Sequence, residues 1–309
     1  MKIFINKKTG FILYPVILLA ALSMMLLHGC EVVKTAAKVG EEAGILTSQQ
    51  AAGIEKTATA VERSQEEITP SEEYYIGRTV SAVITNKYKV YQSDRATRYI
   101  NELGQTIAVH SDLPETFGGY HFLILDTDEI NALAAPGGLI FVSRGLLRCC
   151  NNEDAAAAVL AHEIGHVQHR HGLDAIQKSR ITSAVTTGLL EAGKNLTYAQ
   201  VAELTTIFEG SIRDITSTLI NNGYSRAFER QADQAAVVIL QRCGYNPQGL
   251  VDMLRVMDTR LKPGALDFAK THPSPATRIA SIQESFGAFS PVNQGLKRQE
   301  RFKRALAGI

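Results

Sequence analysis

Hydrophobic and polar positions divide this chain into three regimes. Phe11 to Leu27 is an almost unbroken apolar run behind Lys2, Lys7 and Lys8. Residues 31 to about 68 are rich in Ala, Glu, Thr and Gln, with helical patches such as Ile54 to Val61 but little to build a core. Periodic patterning then begins. Thr69-Pro70-Ser71-Glu72 combines a capping Thr, a Pro at the first helical position and a Glu three residues after the cap. It predicts a helix through Tyr75, Ile76, Val80, Val83 and Ile84. A second helix fits Asp94 to Val109, with Tyr99, Ile100, Leu103 and Ile107 as its apolar stripe.

Tyr120 to Leu125 and Leu139 to Ser143 read as strands, separated by turn residues at Asp126 to Asp128 and at Ala135-Pro136-Gly137-Gly138. Asn151 and Asn152 can cap a following helix that has Glu153 and Asp154 in its first turn and Gly172 past its end. Both faces of that helix are apolar or small: Ala157, Leu160, Ile164 and Val167 on one, Ala155, Ala158 and Val159 on the other. It should therefore run through the middle of the domain. Gly165, costly inside a helix, implies that another backbone passes close by. Residues 173 to 222 read as mostly helical. Further helices cover Ser225 to Arg242, Asn246 to Met257, and a segment bearing Arg278 and Ile282 after the loop Thr271 to Pro275. Strands and helices segregate rather than alternate, so the fold class is α+β, mostly helical.

The 309 residues, 45% hydrophobic and 20% charged, suffice for one full core or two modest ones. A net charge of +1 gives no footprint for nucleic acid. The basic start, the apolar run and Leu27-His28-Gly29-Cys30 describe a signal peptide with a lipobox over residues 1–29, leaving Cys30 as a lipidated N-terminus. His28 departs from the small residue usual there, and an uncleaved membrane anchor is the alternative. Either way the body faces the exported side of a bacterial inner membrane. The lipoprotein reading places it in the periplasm on a lipid anchor, the outer membrane favoured over the inner. Residues 30–68 then form a membrane-proximal tether. Residues 69–285 form the main domain, and 286–309 a basic tail with Lys297, Arg298, Arg301, Lys303 and Arg304, read as a solvated helix or frayed tail, with contact to anionic lipid the alternative. Cys149, Cys150 and Cys243 read as small buried hydrophobes, with a bridge to Cys243 the alternative.

The central helix carries His162-Glu163-Ile164-Gly165-His166. Residues four apart lie about 40° apart around a helix and about 6 Å along it, so both histidines can hold one metal ion. Glu163 sits about 100° round from His162, placed to act as general base on a water the metal activates. A catalytic zinc needs one more protein ligand. His169 shares the face but lies about 10 Å along the axis from His162, too far to converge with bonds near 2 Å. His169 and His171 therefore read as solvated helix-end residues. Glu229 is the better donor, with Asp233 one turn on, placed to accept the free N–H of a ligand histidine. Alone, a Glu and an Asp at that spacing carry almost no information.

Their weight comes from company. His162-Glu163-Ile164-Gly165-His166, Tyr224-Ser225-Arg226, Glu229-x-x-Ala232-Asp233 and His272-Pro273 resemble, in order, the signature of the HtpX and CAAX prenyl protease gluzincins. Asn131 to Ala134, Pro136 to Gly138 and Ser143 to Leu147 resemble the segment that family places before its zinc helix. The similarity spans roughly residues 70 to 285. With the lipobox it points to the periplasmic lipoprotein branch, without the helical-repeat domain that some members carry. It implies a zinc endopeptidase with one Zn²⁺ held by His162, His166 and Glu229, Glu163 as general base and Asp233 behind a ligand histidine. Leu139, Ile140, Phe141, Val142 and Ser143 would form an exposed edge strand beside the zinc helix, pairing with extended substrates and so selecting unfolded or misassembled proteins. His272 would stabilise the oxyanion or gate the metal, against a reading as a turn histidine beside two prolines. Arg278 matches a family arginine near the site, against an ordinary surface arginine.

Two other classes compete with quality-control proteolysis. One is a lipid-anchored chaperone or assembly factor with a gated, silent zinc site. The other is a structural lipoprotein bearing the motif by accident.

Overall fold

A computed structural model describes residues 29–65, 68–176, 220, 223–260, 272–286 and 295–309. The apolar run read as part of a signal peptide, and most of the segment 173 to 222 read as helical, lie outside the described residues. The chain divides into two compact units, Met1–Glu67 with Ile176–Ser211, and Ile68–Ala175 with Ile212–Ile309.

In the first unit, α1 (Cys30–Glu42) and α2 (Ser48–Gln65) pack against each other. Val33 and Ala37 repeat at one helical turn on α1, and Ala51, Ile54 and Ala58 do so on α2. With Leu46 they bury a small apolar seam. Lys34 bridges Glu31 and Glu62 across it. The stretch read as a tether with little core thus has a small core of its own, half of it alanine, whose small size hid the periodicity.

In the second unit, the box read at Thr69 is present. The Thr69 hydroxyl accepts from Glu72 N–H, the Glu72 carboxylate accepts from Thr69 N–H at 2.9 Å, and α3 (Pro70–Lys87) follows. Ser93 caps α4 (Asp94–Ala108), which buries Tyr99, Ile100, Leu103 and Ile107 as expected. Three strands come next: β1 (His121–Leu125), β2 (Ala132–Ala135) and, after a 3₁₀ turn at Pro136–Gly138, β3 (Leu139–Ser143).

Their order is β1-β3-β2. β3 pairs parallel with β1 from His121↔Leu139 to Leu125↔Ser143, and antiparallel with β2 from Ala132↔Val142 to Ala135↔Leu139. This corrects the expectation that Leu139, Ile140, Phe141, Val142 and Ser143 form an edge strand. Both sides of β3 are paired, so it cannot accept a substrate strand. Its continuous apolar character is that of a central strand buried on both faces. The edge that packs against the zinc-motif helix is β2.

Ser143 ends β3 by capping a short helix, α5 (Arg144–Leu147), and Asn152 caps the central α6 (Glu153–Gln168). Every residue of α6 from Ala155 to Val167 is buried, enclosed by α4, β2, α7 (Arg226–Arg242) and α8 (Gln248–Arg260). The close approach read from Gly165 is to α7. A Cβ there would stand 2.9 Å from Ala232 O and 3.1 Å from its Cα. After α9 (Pro275–Glu284), α10 (Gly295–Ala305) closes the unit. This helix corrects the solvated-tail reading. Arg298 and Phe302 are buried, Arg298 pairs with Asp154, and Arg301 pairs with the buried Glu153, whose carboxylate also accepts from Tyr99 and Tyr245. Cys149 and Cys150 are buried free thiols and Cys243 is a half-buried one.

Candidate metal centre

Packing α7 against α6 at Gly165 brings Glu229 opposite the two motif histidines. His162 Nε2 and His166 Nε2 stand 3.2 Å apart. Glu229 Oε2 is 3.6 Å from the first and Glu229 Oε1 3.4 Å from the second. Four ligands at bonds near 2 Å around tetrahedral zinc lie about 3.3 Å from one another. Among the described residues Glu229 Oε1 is buried with no hydrogen-bond donor, and its 3.4 Å approach to His166 is closer to a ligand–ligand separation than to a hydrogen bond. These three residues fit a zinc ion. His272 joins them in one buried group of four whose donor atoms all lie within 4.8 Å of one another, and its Nδ1 is 2.7 Å from Glu229 Oε2. His272 is therefore part of the site and not a bystander in its turn.

Asp233, one turn beyond Glu229, lies 2.9 Å from His162 Nδ1 through Oδ1. Arg278, brought in by α9, is buried and contacts both carboxylate oxygens of Asp233 at 2.5 and 3.0 Å. Its Nη2 is also 3.2 Å from His162 Nδ1. That nitrogen cannot both donate to Asp233 and accept from Arg278, and the charge on Asp233 favours the first. Arg278 is thus an interior ion-pair partner and no surface residue.

Burial opposes charge throughout this cluster, and the outcome differs by position. It pushes Glu163 up to about 7, with His162 opposing and Glu229 adding to the shift. It pushes His166 down to about 3 despite Glu229. At Asp233, burial is outweighed by Arg278 and His162, which hold the carboxyl at about 2. At Glu229, burial is outweighed by His272, His162 and His166, which hold it well below the usual range. Burial and Arg278 disfavour charge on His162, but Asp233 and Glu229 prevail and raise it to about 9. Among the described residues Asp233 has Arg278 as its counter-charge, and Glu229 has only the three imidazoles around it.

His171 corrects the sequence reading. The main chain turns at Arg170, whose φ is 53°, and this swings His171 back under α6 and buries it, while His169 stays exposed. His171 Nδ1 lies 2.9 Å from His166 Nδ1, and its Nε2 lies 2.9 Å from Gln231 Oε1. No sequence signal marks either contact, because a left-handed residue after a helix end is invisible to helical spacing.

Beside the centre is a small cleft. Val80, Ile84, Leu133 and Ile220 supply apolar wall, and Glu163 and His272 reach it from the metal side. Ala132 to Ala134 of β2 line it; among the described residues no strand pairs with the outer side of β2, and Tyr224 donates to Ala134 O at 3.0 Å. The Tyr224 ring stacks on His166, centroids 4.3 Å apart.

Residues 94–285 match the model of peptidase family M48. The chain is 30% identical over 202 residues to a beta-barrel assembly-enhancing protease of Escherichia coli, a match covering 63% of this chain and 40% of that one. It is 32% identical over 194 residues to the mitochondrial metalloendopeptidase OMA1 of Schizosaccharomyces pombe, covering 61% and 52%. A putative beta-barrel assembly-enhancing protease of Vibrio cholerae is 26% identical over 231 residues, covering 73% and 46%. The chain thus spans about half or less of each of these relatives. The matched stretch contains both histidines, Glu163, Glu229, Asp233, His272 and Arg278, the residues that the fold gathers into one buried centre. The chain belongs to peptidase family M48.

Proposed function

We propose that this protein is a zinc metalloendopeptidase of the bacterial envelope that hydrolyses unfolded or misassembled exported and outer-membrane proteins. The observation that carries the reading is the buried trio of His162, His166 and Glu229 at tetrahedral ligand separations, with Glu163 one residue from the first ligand. A zinc ion there would supply an acidified water and a Lewis acid for the scissile carbonyl. Glu163, raised to about 7 by burial, is poised to take the proton of the attacking water and hand it to the leaving amine. Asp233, locked by Arg278, holds His162 with Nε2 free for the metal. The outer edge of β2, which no strand covers among the described residues, offers main-chain groups to an extended peptide once Tyr224 releases Ala134 O, and this favours unfolded chains over native ones. The apolar cleft wall suits an aliphatic side chain next to the bond cut. That the bacterial relatives are beta-barrel assembly-enhancing proteases, one of them putative, supports this envelope context. Anchoring through Cys30 is the sequence's contribution to that picture.

The test is Glu163→Gln. It should bind zinc as the wild type does while cleavage of an unfolded substrate such as casein falls by at least about 10²-fold. Undiminished cleavage would refute the mechanism.

One observation favours a second reading, a lipid-anchored assembly factor with a gated centre. His272 belongs to the same four-donor group, and four protein ligands would leave zinc no open position. A Glu163→Gln variant that still complements a deletion strain under envelope stress would support that role.

A further inference from the structure

We infer that His171 is a positioning residue that fixes His166 as a metal ligand, and that Gln231 fixes His171 in turn. The inference rests on the metal site proposed above. His166 turns Nε2 toward His162 and Glu229. A neutral imidazole that offers Nε2 to a metal carries its proton on Nδ1, and a buried Nδ1–H needs an acceptor. The group 2.9 Å away is His171 Nδ1. That nitrogen accepts only if the His171 proton sits on Nε2, and Nε2 lies 2.9 Å from Gln231 Oε1. One proton arrangement satisfies the whole chain: His166 Nδ1–H donates to His171, and His171 Nε2–H donates to Gln231. Reversing the Gln231 amide reverses both bonds and puts a proton on His166 Nε2, where the metal must bind. The His171 ring has no freedom to tilt away. It is buried and stacked on Phe228, with centroids 4.3 Å apart and planes at 9°.

Helix α7 therefore backs both metal-binding histidines. Asp233 does so directly for His162, and Gln231 does so for His166 through a second imidazole. The first backing is an anion paired with Arg278 and the second is neutral, so the two ligands are supported unequally.

The experiment is zinc affinity of the full chain, by competition with a chromogenic zinc chelator, for the wild type and three variants. His171→Phe keeps a flat ring on Phe228 but offers no acceptor, and should weaken zinc binding about 10–100-fold. His171→Asn loses the ring but places a side-chain oxygen near the position of Nδ1, and should recover most of that loss. His162→Ala removes a ligand and should abolish stoichiometric binding. Wild-type affinity in His171→Phe would overturn the inference, as would equal losses in the Phe and Asn variants, which is what a packing role produces. Retention of zinc by His162→Ala would instead overturn the metal site itself, a separate failure.

Discussion

Asp233 and Arg278 form an ion pair deep beside the metal centre, and such a pair is costly to break from one side. Asp233→Asn leaves the guanidinium without that carboxylate and should cost about 3–5 kcal/mol near neutral pH. The dependence on pH has a definite sign. Asp233 titrates near 2 in the folded chain and about 3.9 when unfolded, so its contribution is full above about pH 4 and is lost as pH falls toward 2. Denaturant unfolding of metal-free protein should show the gap between wild type and variant narrowing across that window. A constant gap would mean that Asp233 acts by shape alone. At this scale part of the candidate site was legible in the sequence. His162, Glu163 and His166 declare themselves by spacing, because one helical turn is a fixed length. Glu229, Asp233, His272 and Arg278 do not, since nothing local distinguishes them from a solvated helix face or a proline turn. They were readable only as an ordered set resembling a family. His171 was misread, because the turn at Arg170 breaks the helical geometry on which that reading depended.

Among the elements, the contact between α6 and α7 sets the centre, because it fixes the distance from Glu229 to the histidines. Gly165→Ala places a methyl 2.9 Å from Ala232 O, so the helices must part. Overpacking of this kind costs about 1–3 kcal/mol. The variant should melt earlier and also bind zinc more weakly, whereas a loss of stability with unchanged zinc affinity would uncouple the two. The β2 edge makes a second prediction. Antiparallel pairing turns the main-chain groups of alternate residues outward, as Tyr224 bonding to Ala134 O indicates. Peptide substrates N-methylated at alternate residues should therefore be cut about tenfold more slowly in one register than in the other. Equal rates would rule out strand addition. Helix starts were the most legible elements, since caps at Thr69 and Asn152 are local chemistry. The order of the strands was not, because pairing β3 between β1 and β2 is a non-local choice, although an unbroken apolar run from Leu139 to Val142 already carried the mark of a central strand.

For the molecule as a whole, α10 ties the C-terminal end back to the start of the central helix. Glu153 is a buried carboxylate held by Tyr99, Tyr245 and Arg301. Arg301→Ala should lower stability by about 1–3 kcal/mol, less than for a fully buried pair because Arg301 is half-exposed. Thermal unfolding would show it, and an unchanged melting point would mean that the tyrosines alone suffice. The basic residues of this end looked like a solvated tail because their acidic partners, Glu153 and Asp154, lie far away in sequence. What unites these scales is the proposal that α6 and α7 hold a zinc ion between them. Metal analysis of full-length protein, purified without chelators, tests this most directly, with Glu229→Gln measured beside the wild type. The wild type should carry one zinc per chain and the variant far less. Substoichiometric zinc in the wild type, or full zinc in Glu229→Gln, would contradict it.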